Sequence, residues 1–339
     1  MATTYSASSA GRALYRAAWE VVGQKFFDTE KLADWSSWEH RFDELIDGEE
    51  TAVRFIEQML ASLGDSYTRL VGFTLNNAPD AQPASPAGQG TSPDAAETGA
   101  PKSNNDVLVR KLSGNIGYIR IFSFENPSIV EQVTQGVEAV RSCDAFIIDL
   151  RDNGGGNVDW ACSCAEFFVA KGPVGSIVRR LPDGRMWHRD VALFDEGMLF
   201  ITKVTGEEER MEGFMRREPI TVGKPVVVLI NEHTGSSAEM MAAAIVESDK
   251  ASGLVTSMGA PSFGKGIAQA TVSVLDKVSI QITCARFMSP TDVWFGDAQQ
   301  TVRNPVVPDV LVPETADDGP NAQLSAAFNW LKTRIQTAA

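Results

Sequence analysis

Two short apolar runs, Phe146-Ile-Ile-Asp-Leu150 and Pro225-Val-Val-Val-Leu-Ile230, each stop at a cluster of small, turn-forming residues. Runs of that length, rich in Val and Ile and bounded by such clusters, read as buried strands. The first empties into Arg151-Asp-Asn-Gly-Gly-Gly156 and the second into Asn231-Glu-His-Thr-Gly-Ser-Ser-Ala-Glu239. A strand that ends in such a turn and gives way to a helix leaves side chains at the carboxyl edge of a sheet. Enzymes of the α/β class present a nucleophile there.

The rest of the pattern agrees with an α/β fold. Ala52, Val53, Phe55, Ile56, Met59, Leu60 and Leu63 recur at helical spacing and Gly64 supplies a stop. With an apolar-rich segment from Ala13 to Phe27 and a short helix carrying Trp35, Trp38 and Phe42, residues 1–75 read as a helical N-terminal region. Residues 107–112 and 116–122 predict a hairpin about Ser113-Gly-Asn115, followed by a helix over 126–140, a strand over 145–150 and a helix over 160–170. A second hairpin is expected over 177–187 with its turn at Pro182-Asp-Gly184, then a strand over 224–230 and a helix over 238–246. Further strands are expected at 267–274, 277–287 and 310–312, and a closing helix at 321–337. Strands alternating with helices favour a mixed, largely buried sheet. Residues 190–222 have no clear period; one reading places a charged amphipathic helix near Glu207–Arg217, and the stretch as a whole is open to a role as a lid or a dimer contact.

One stretch differs in kind. The 31 residues from Asn76 to Asp106 hold five prolines and no Val, Ile, Leu, Met or aromatic residue. With nothing to bury, such a segment cannot offset the entropy of ordering, so it reads as a disordered linker before an α/β core domain over 107–339.

Charge and cysteine content narrow the function. A formal net charge of −14 argues against nucleic acid or an anionic membrane as partner. No run approaches the roughly 20 apolar residues of a membrane span, and the N-terminus lacks the basic-then-apolar pattern of a secretory signal, so a cytoplasmic protein without membrane insertion is expected. Cys143, Cys162, Cys164 and Cys284 are too scattered for a disulfide framework, and Cys162-Ser-Cys164 is too tight for a zinc pair. Neither a metal nor another cofactor is implied. A homo-oligomer is compatible with the composition.

Three stretches carry chemistry. Ser236-x-x-Glu239 is a capping box, and a capping role for Ser236 stands beside a nucleophilic one. Either way, the amides of a helix N-terminus lie beside the hydroxyl, where they can stabilise developing negative charge. Lys265 sits between glycines in Phe263-Gly-Lys-Gly266; it can act as a base if burial lowers its pKa. Gly259-Ala-Pro-Ser-Phe-Gly-Lys265 also fits part of a phosphate-binding loop, but Gly266 stands where Ser or Thr is required and a strand, not a helix, should follow. The third stretch is the triple glycine after Asp149, which lets backbone N–H groups be aimed into a site. The three histidines, His40, His188 and His233, have no triad signature around them.

Taken together, these residues resemble the carboxyl-terminal processing (tail-specific) proteases, a serine endopeptidase family with a Ser/Lys dyad. The family's motifs match at Asp149 to Gly156, Asn231 to Glu239 and Phe263 to Gln269, with further matches at Gly64–Arg69, Ala285–Pro290 and Val307–Val310. The resemblance implies a Clp/crotonase-like α/β core plus an N-terminal helical subdomain, acting on a peptide or protein substrate. It implies Ser236 as nucleophile, Lys265 as base, Gln269 as the residue that positions the lysine, and the N–H groups of Gly155 and Ser237 as the oxyanion hole. The family usually carries a PDZ domain where this chain has the featureless segment, so a PDZ-less member is expected. Ser236 and Lys265 are also a few positions further apart than is usual, with the excess read as a loop insertion near Ser252–Ser262. Two other readings are a tricorn-like hydrolase with a histidine base such as His40, and a non-catalytic ligand- or peptide-binding module on the same core.

Overall fold

The computed structural model describes residues 7–73, 105–298, 300–313 and 321–338. The chain opens with α1 (Ala7–Lys25), α2 (Glu49–Ala61), β1 (Arg69–Phe73), β2 (Val107–Leu112) and β3 (Ile116–Ile121). It continues through α3 (Ile129–Val140), β4 (Ala145–Asp149), α4 (Val158–Ala165), β5 (Gly172–Arg180), β6 (Met186–Leu193), β7 (Gly197–Val204) and β8 (Arg210–Met215). Then come β9 (Val226–Ile230), α5 (Ser237–Ser248), β10 (Val255–Gly259), β11 (Ile267–Val274), β12 (Val278–Met288), β13 (Val310–Leu311) and α6 (Ala322–Ala338). The expected linker lies outside the described residues apart from Asn105 and Asp106. No described helix is long and apolar enough to cross a membrane.

The chain forms two units. The first holds the described residues up to 73 with Arg179–Trp187 and Ala268–Arg286. Here the apolar stripes of α1 and α2, with Leu14, Tyr15, Val22, Ile56 and Met59, share one core with Val274, Val278, Ile280 and Ile282. The N-terminal helices are therefore completed by strand residues from far along the chain. β1 pairs antiparallel with β12 from Arg69↔Gln281 to Phe73↔Val278. Just before β1, Thr68 Oγ1 donates to Asp65 and accepts from Thr283 N, which gives the Gly64–Arg69 motif a structural task.

The second unit is built on a six-stranded sheet in the order β13-β10-β9-β4-β3-β2. Only β2 runs antiparallel; β3, β4, β9, β10 and β13 are parallel. β4 and β9 are buried along their full length, as expected for strands covered on both faces. On one face Ile147, Val227 and Leu229 meet Ala327 and Leu331 of α6. On the other, Phe146 and Val140 of α3 close over Gly117 so tightly that an added Cβ would lie 2.8 Å from the Phe146 ring.

Two expectations fail here. The stretch Glu207–Arg217 is no helix: β7 and β8 form an antiparallel hairpin, with Gly197↔Met215 and Thr202↔Arg210 in register. Its charges follow one another at helix-like intervals, but cross-strand pairing, a non-local term, decides the structure. Ser252–Ser262 is not a loop throughout either. It contains β10, paired along β9 from Val255↔Val226 to Gly259↔Ile230. The polar residues that hide this strand in the sequence are satisfied from elsewhere, since Ser257 N and Oγ both donate to Asp309 Oδ2 at 2.8 Å.

Candidate active site

Because β4, β9 and β10 are adjacent and parallel, the loops that follow them leave the same edge of the sheet. Those loops carry the triple glycine, Ser236 and Lys265. Side chains lock them together. Asn231 Nδ2 donates to Asp152 Oδ1 at 2.8 Å while Asp152 N donates back to Asn231 Oδ1 at 2.9 Å, joining the loop after β4 to the loop after β9. Thr234 Oγ1 donates to Leu150 O, and Gly235 N donates to Asn153 O. Beneath them lies a buried ion pair. Arg151 reaches Asp149 at 2.6 and 2.9 Å, Tyr118 OH donates to the same carboxylate at 2.8 Å, and Arg151 also donates to Gln323 at the start of α6. Burial, with the Asp149 carboxylate beside it, pushes the Tyr118 phenol up to about 12, so it remains a donor.

Ser236 stands at the N-cap of α5 with φ +56° and ψ −126°. A side chain other than glycine is rarely held there, and the surrounding hydrogen bonds must enforce it. α5 is buried on all sides along Ser237–Val246, so its N-terminal amides end inside protein. The first such amide, Ser237 N, has no acceptor within its own helix. Gly155 (φ +99°) presses against this point. A Cβ on it would sit 2.8 Å from Ser236 Cβ and 3.1 Å from Ser237 N, so only glycine fits. Its N–H does not point to an empty hole, however; it donates to Asn153 Oδ1 at 2.9 Å.

Glu239 organises the site. It is fully buried, and its Oε2 accepts from both Ser236 N and Lys265 N at 2.8 Å. Its Oε1 accepts from Ser262 Oγ at 2.5 Å and Gly264 N at 2.6 Å. Burial pushes the Glu239 carboxyl up, and the four donated hydrogen bonds oppose this. Burial also pushes the Lys265 ammonium below the ordinary lysine range, against the pull of the Glu239 charge. The desolvation required of a basic lysine is therefore present. The sequence shows Glu239 only as a capping residue and a motif letter; its bonds to the lysine loop need the fold.

The structure thus ties Ser236 and Lys265 to one carboxylate through their backbone N–H groups and sets Gly155 against Ser236 and Ser237. Gln269 stands on β11 among the residues of the first unit, with its Nε2 buried and without a hydrogen-bond partner. His40, in the same unit, is a surface residue paired with Asp43. His233 is 68% exposed despite its place three residues before Ser236, and His188 is paired with Asp190. Cys162 and Cys164 are buried free thiols, and burial pushes the Cys162 thiol up to about 12.

Comparison with known proteins follows the same residues. The model for peptidase family S41 matches residues 115–312, and the chain belongs to that family. It is 28% identical over 190 residues to the carboxy-terminal processing protease CtpA of Bacillus subtilis (strain 168), covering 56% of this chain and 34% of that protein. It is 26% identical over 261 residues to the carboxy-terminal-processing protease of Bartonella bacilliformis (strain ATCC 35685 / KC583 / Herrer 020/F12,63), covering 73% of this chain and 52% of the relative. The chain therefore spans about half or less of the length of these curated relatives. Among solved structures, the photosystem II D1 C-terminal processing protease superposes with a TM-score of 0.61 at 18% identity, over 90% of this chain and 93% of that one. That likeness shows a shared fold.

Proposed function

We propose that this protein is a serine-type endopeptidase whose nucleophile is Ser236 and whose general base is Lys265. The observation that carries the reading is the bridging of Ser236 N and Lys265 N by one buried Glu239 oxygen at 2.8 Å each, which fixes both loops to a common point. Lys265, desolvated and so kept neutral more readily than an exposed lysine, takes the Ser236 proton as Oγ attacks a peptide carbonyl. Ser237 N–H, at the positive end of α5, receives the developing oxyanion. Gly155 N–H joins it by exchanging Asn153 Oδ1 for the substrate oxygen. The protonated lysine then protonates the leaving amine, and water releases the acyl-enzyme. The role of Gln269 as a positioning residue rests on the resemblance alone.

The test is mass spectrometry of products from an unstructured protein incubated with the wild-type chain and with Ser236→Ala. Internal peptides should appear with the first and be absent with the second. Equal cleavage by both would remove Ser236 from the mechanism, and no cleavage by a folded wild-type chain would favour a binding module on this core.

A further inference from the structure

Among the described residues β8 is the outermost strand of its sheet, and it is exposed at every residue. Met211 is 64% exposed, Phe214 57% and Met215 87%. A strand with an open edge and neither face covered is the kind that native proteins blunt or pair. The hairpin is nevertheless held firmly at its base. Arg216 donates to the carbonyls of Glu166, Val169, Ala170 and Phe194, and Arg217 pairs with Glu166 at 2.5 Å. Phe200 and Phe214 also pack edge to face across the two strands, with ring centroids 5.6 Å apart.

The register fixes which backbone groups look outward. Gly197↔Met215 continues into Arg216 N donating to Glu196 O. In an antiparallel ladder, bonded pairs alternate, so Arg210, Glu212 and Phe214 direct their backbone groups to β7 while Met211, Gly213 and Met215 direct theirs to the open edge. An open edge alone names no partner; here the charges choose one. If a second copy of β8 adds antiparallel about a two-fold axis at Met211, Met211 bonds its own counterpart. Arg210 then lies opposite Glu212 of the other copy in a non-hydrogen-bonded pair, where side chains come closest. Moving the axis to Arg210 or Glu212 sets like charges face to face, and moving it to Gly213 sets Arg210 against Arg216.

We propose that β8 is a dimer seam, with two copies of this chain joined edge to edge about Met211 and two Arg210–Glu212 pairs flanking the axis. This inference is independent of the peptidase reading. Sedimentation of the full chain should show a concentration-dependent dimer. Arg210→Glu should raise the dimer Kd about tenfold by creating two like-charge pairs, and Arg210→Glu combined with Glu212→Arg should restore it. Gly213→Pro removes one outward N–H without touching the ladder to β7, and no atom lies within 4 Å of the position its Cβ would take; it should also give monomer. Met211→Cys should form an intermolecular disulfide under mild oxidation, whereas cysteine at exposed Val222 should not. A wild-type chain that stays monomeric up to its solubility limit overturns the proposal, as does a dimer indifferent to Arg210→Glu.

Discussion

The loops after β4, β9 and β10 and the β7–β8 hairpin are both rich in polar residues, yet they are held in opposite ways. The loops lie among buried groups and are tied together through Asp152–Asn231, Thr234–Leu150 and Gly235–Asn153, and Glu239 alone receives four donors. The hairpin is fastened at its base by Arg216 and Arg217 and leaves β8 bare. Polar residues in a dry network lose heavily when one member is removed, because the partners are stranded away from water. On an exposed strand the same residues can change at little cost to the monomer. The first region suits chemistry that needs fixed distances, and the second suits association.

This contrast predicts a graded series. The largest effect should come from Arg151→Ala, which leaves Asp149 charged and wholly buried; urea unfolding should show a loss of about 4 kcal/mol. Glu239→Gln comes next. An amide NH2 must then face donors that now meet a carboxylate, for a loss of about 2 kcal/mol together with the activity, measured on the same preparation. If Lys265 is the proposed base, its replacement by Met should abolish cleavage yet raise stability, by about 1 kcal/mol at neutral pH, since burial disfavours the charged amine there.

The sign of that last effect can be followed with pH. The Lys265 pKa is lowered on folding, so above the ordinary lysine value both states are neutral and wild type and Lys265→Met should differ least. As pH falls from that value toward the folded pKa, the unfolded chain takes up the proton first and the wild type loses ground. Activity should rise with pH along a limb set by the same group, at a pH below that of an ordinary lysine. A limb at or above the ordinary lysine value would separate Lys265 from the base. The smallest effect belongs to the hairpin: Met215→Ser, at a side chain 87% exposed, should move the thermal stability of the isolated monomer by no more than about 0.5 kcal/mol. A larger loss would mean that β8 carries more of the monomer than its exposure implies.

Much of this was legible in the chain. β4 and β9 follow from Val- and Ile-rich runs, and Ser236 and Lys265 from the glycine and small residues around them. The hairpin turn at Pro182-Asp-Gly184 appears where expected, with Gly184 N bonded to Leu181 O. β10 was hidden because Thr256 and Ser257 are unusual in a buried strand and become tolerable only through Asp309, some fifty residues later. The β7–β8 hairpin was hidden because local spacing of charge does not reveal which strand lies opposite.

The sequence by itself determined an α/β chain with two buried strands, each ending in a turn of glycine and small polar residues, because apolar runs and glycine act locally. It also supplied the members of the site as separate motifs. Only the tertiary structure decided that a helix-capping glutamate would join two of those motifs, that Gly155 would press against Ser236 and Ser237, and that β8 would be left open among the described residues. Each of these depends on which distant group arrives to complete a hydrogen bond or a contact, or to leave an edge unpaired, and spacing along the chain does not record that.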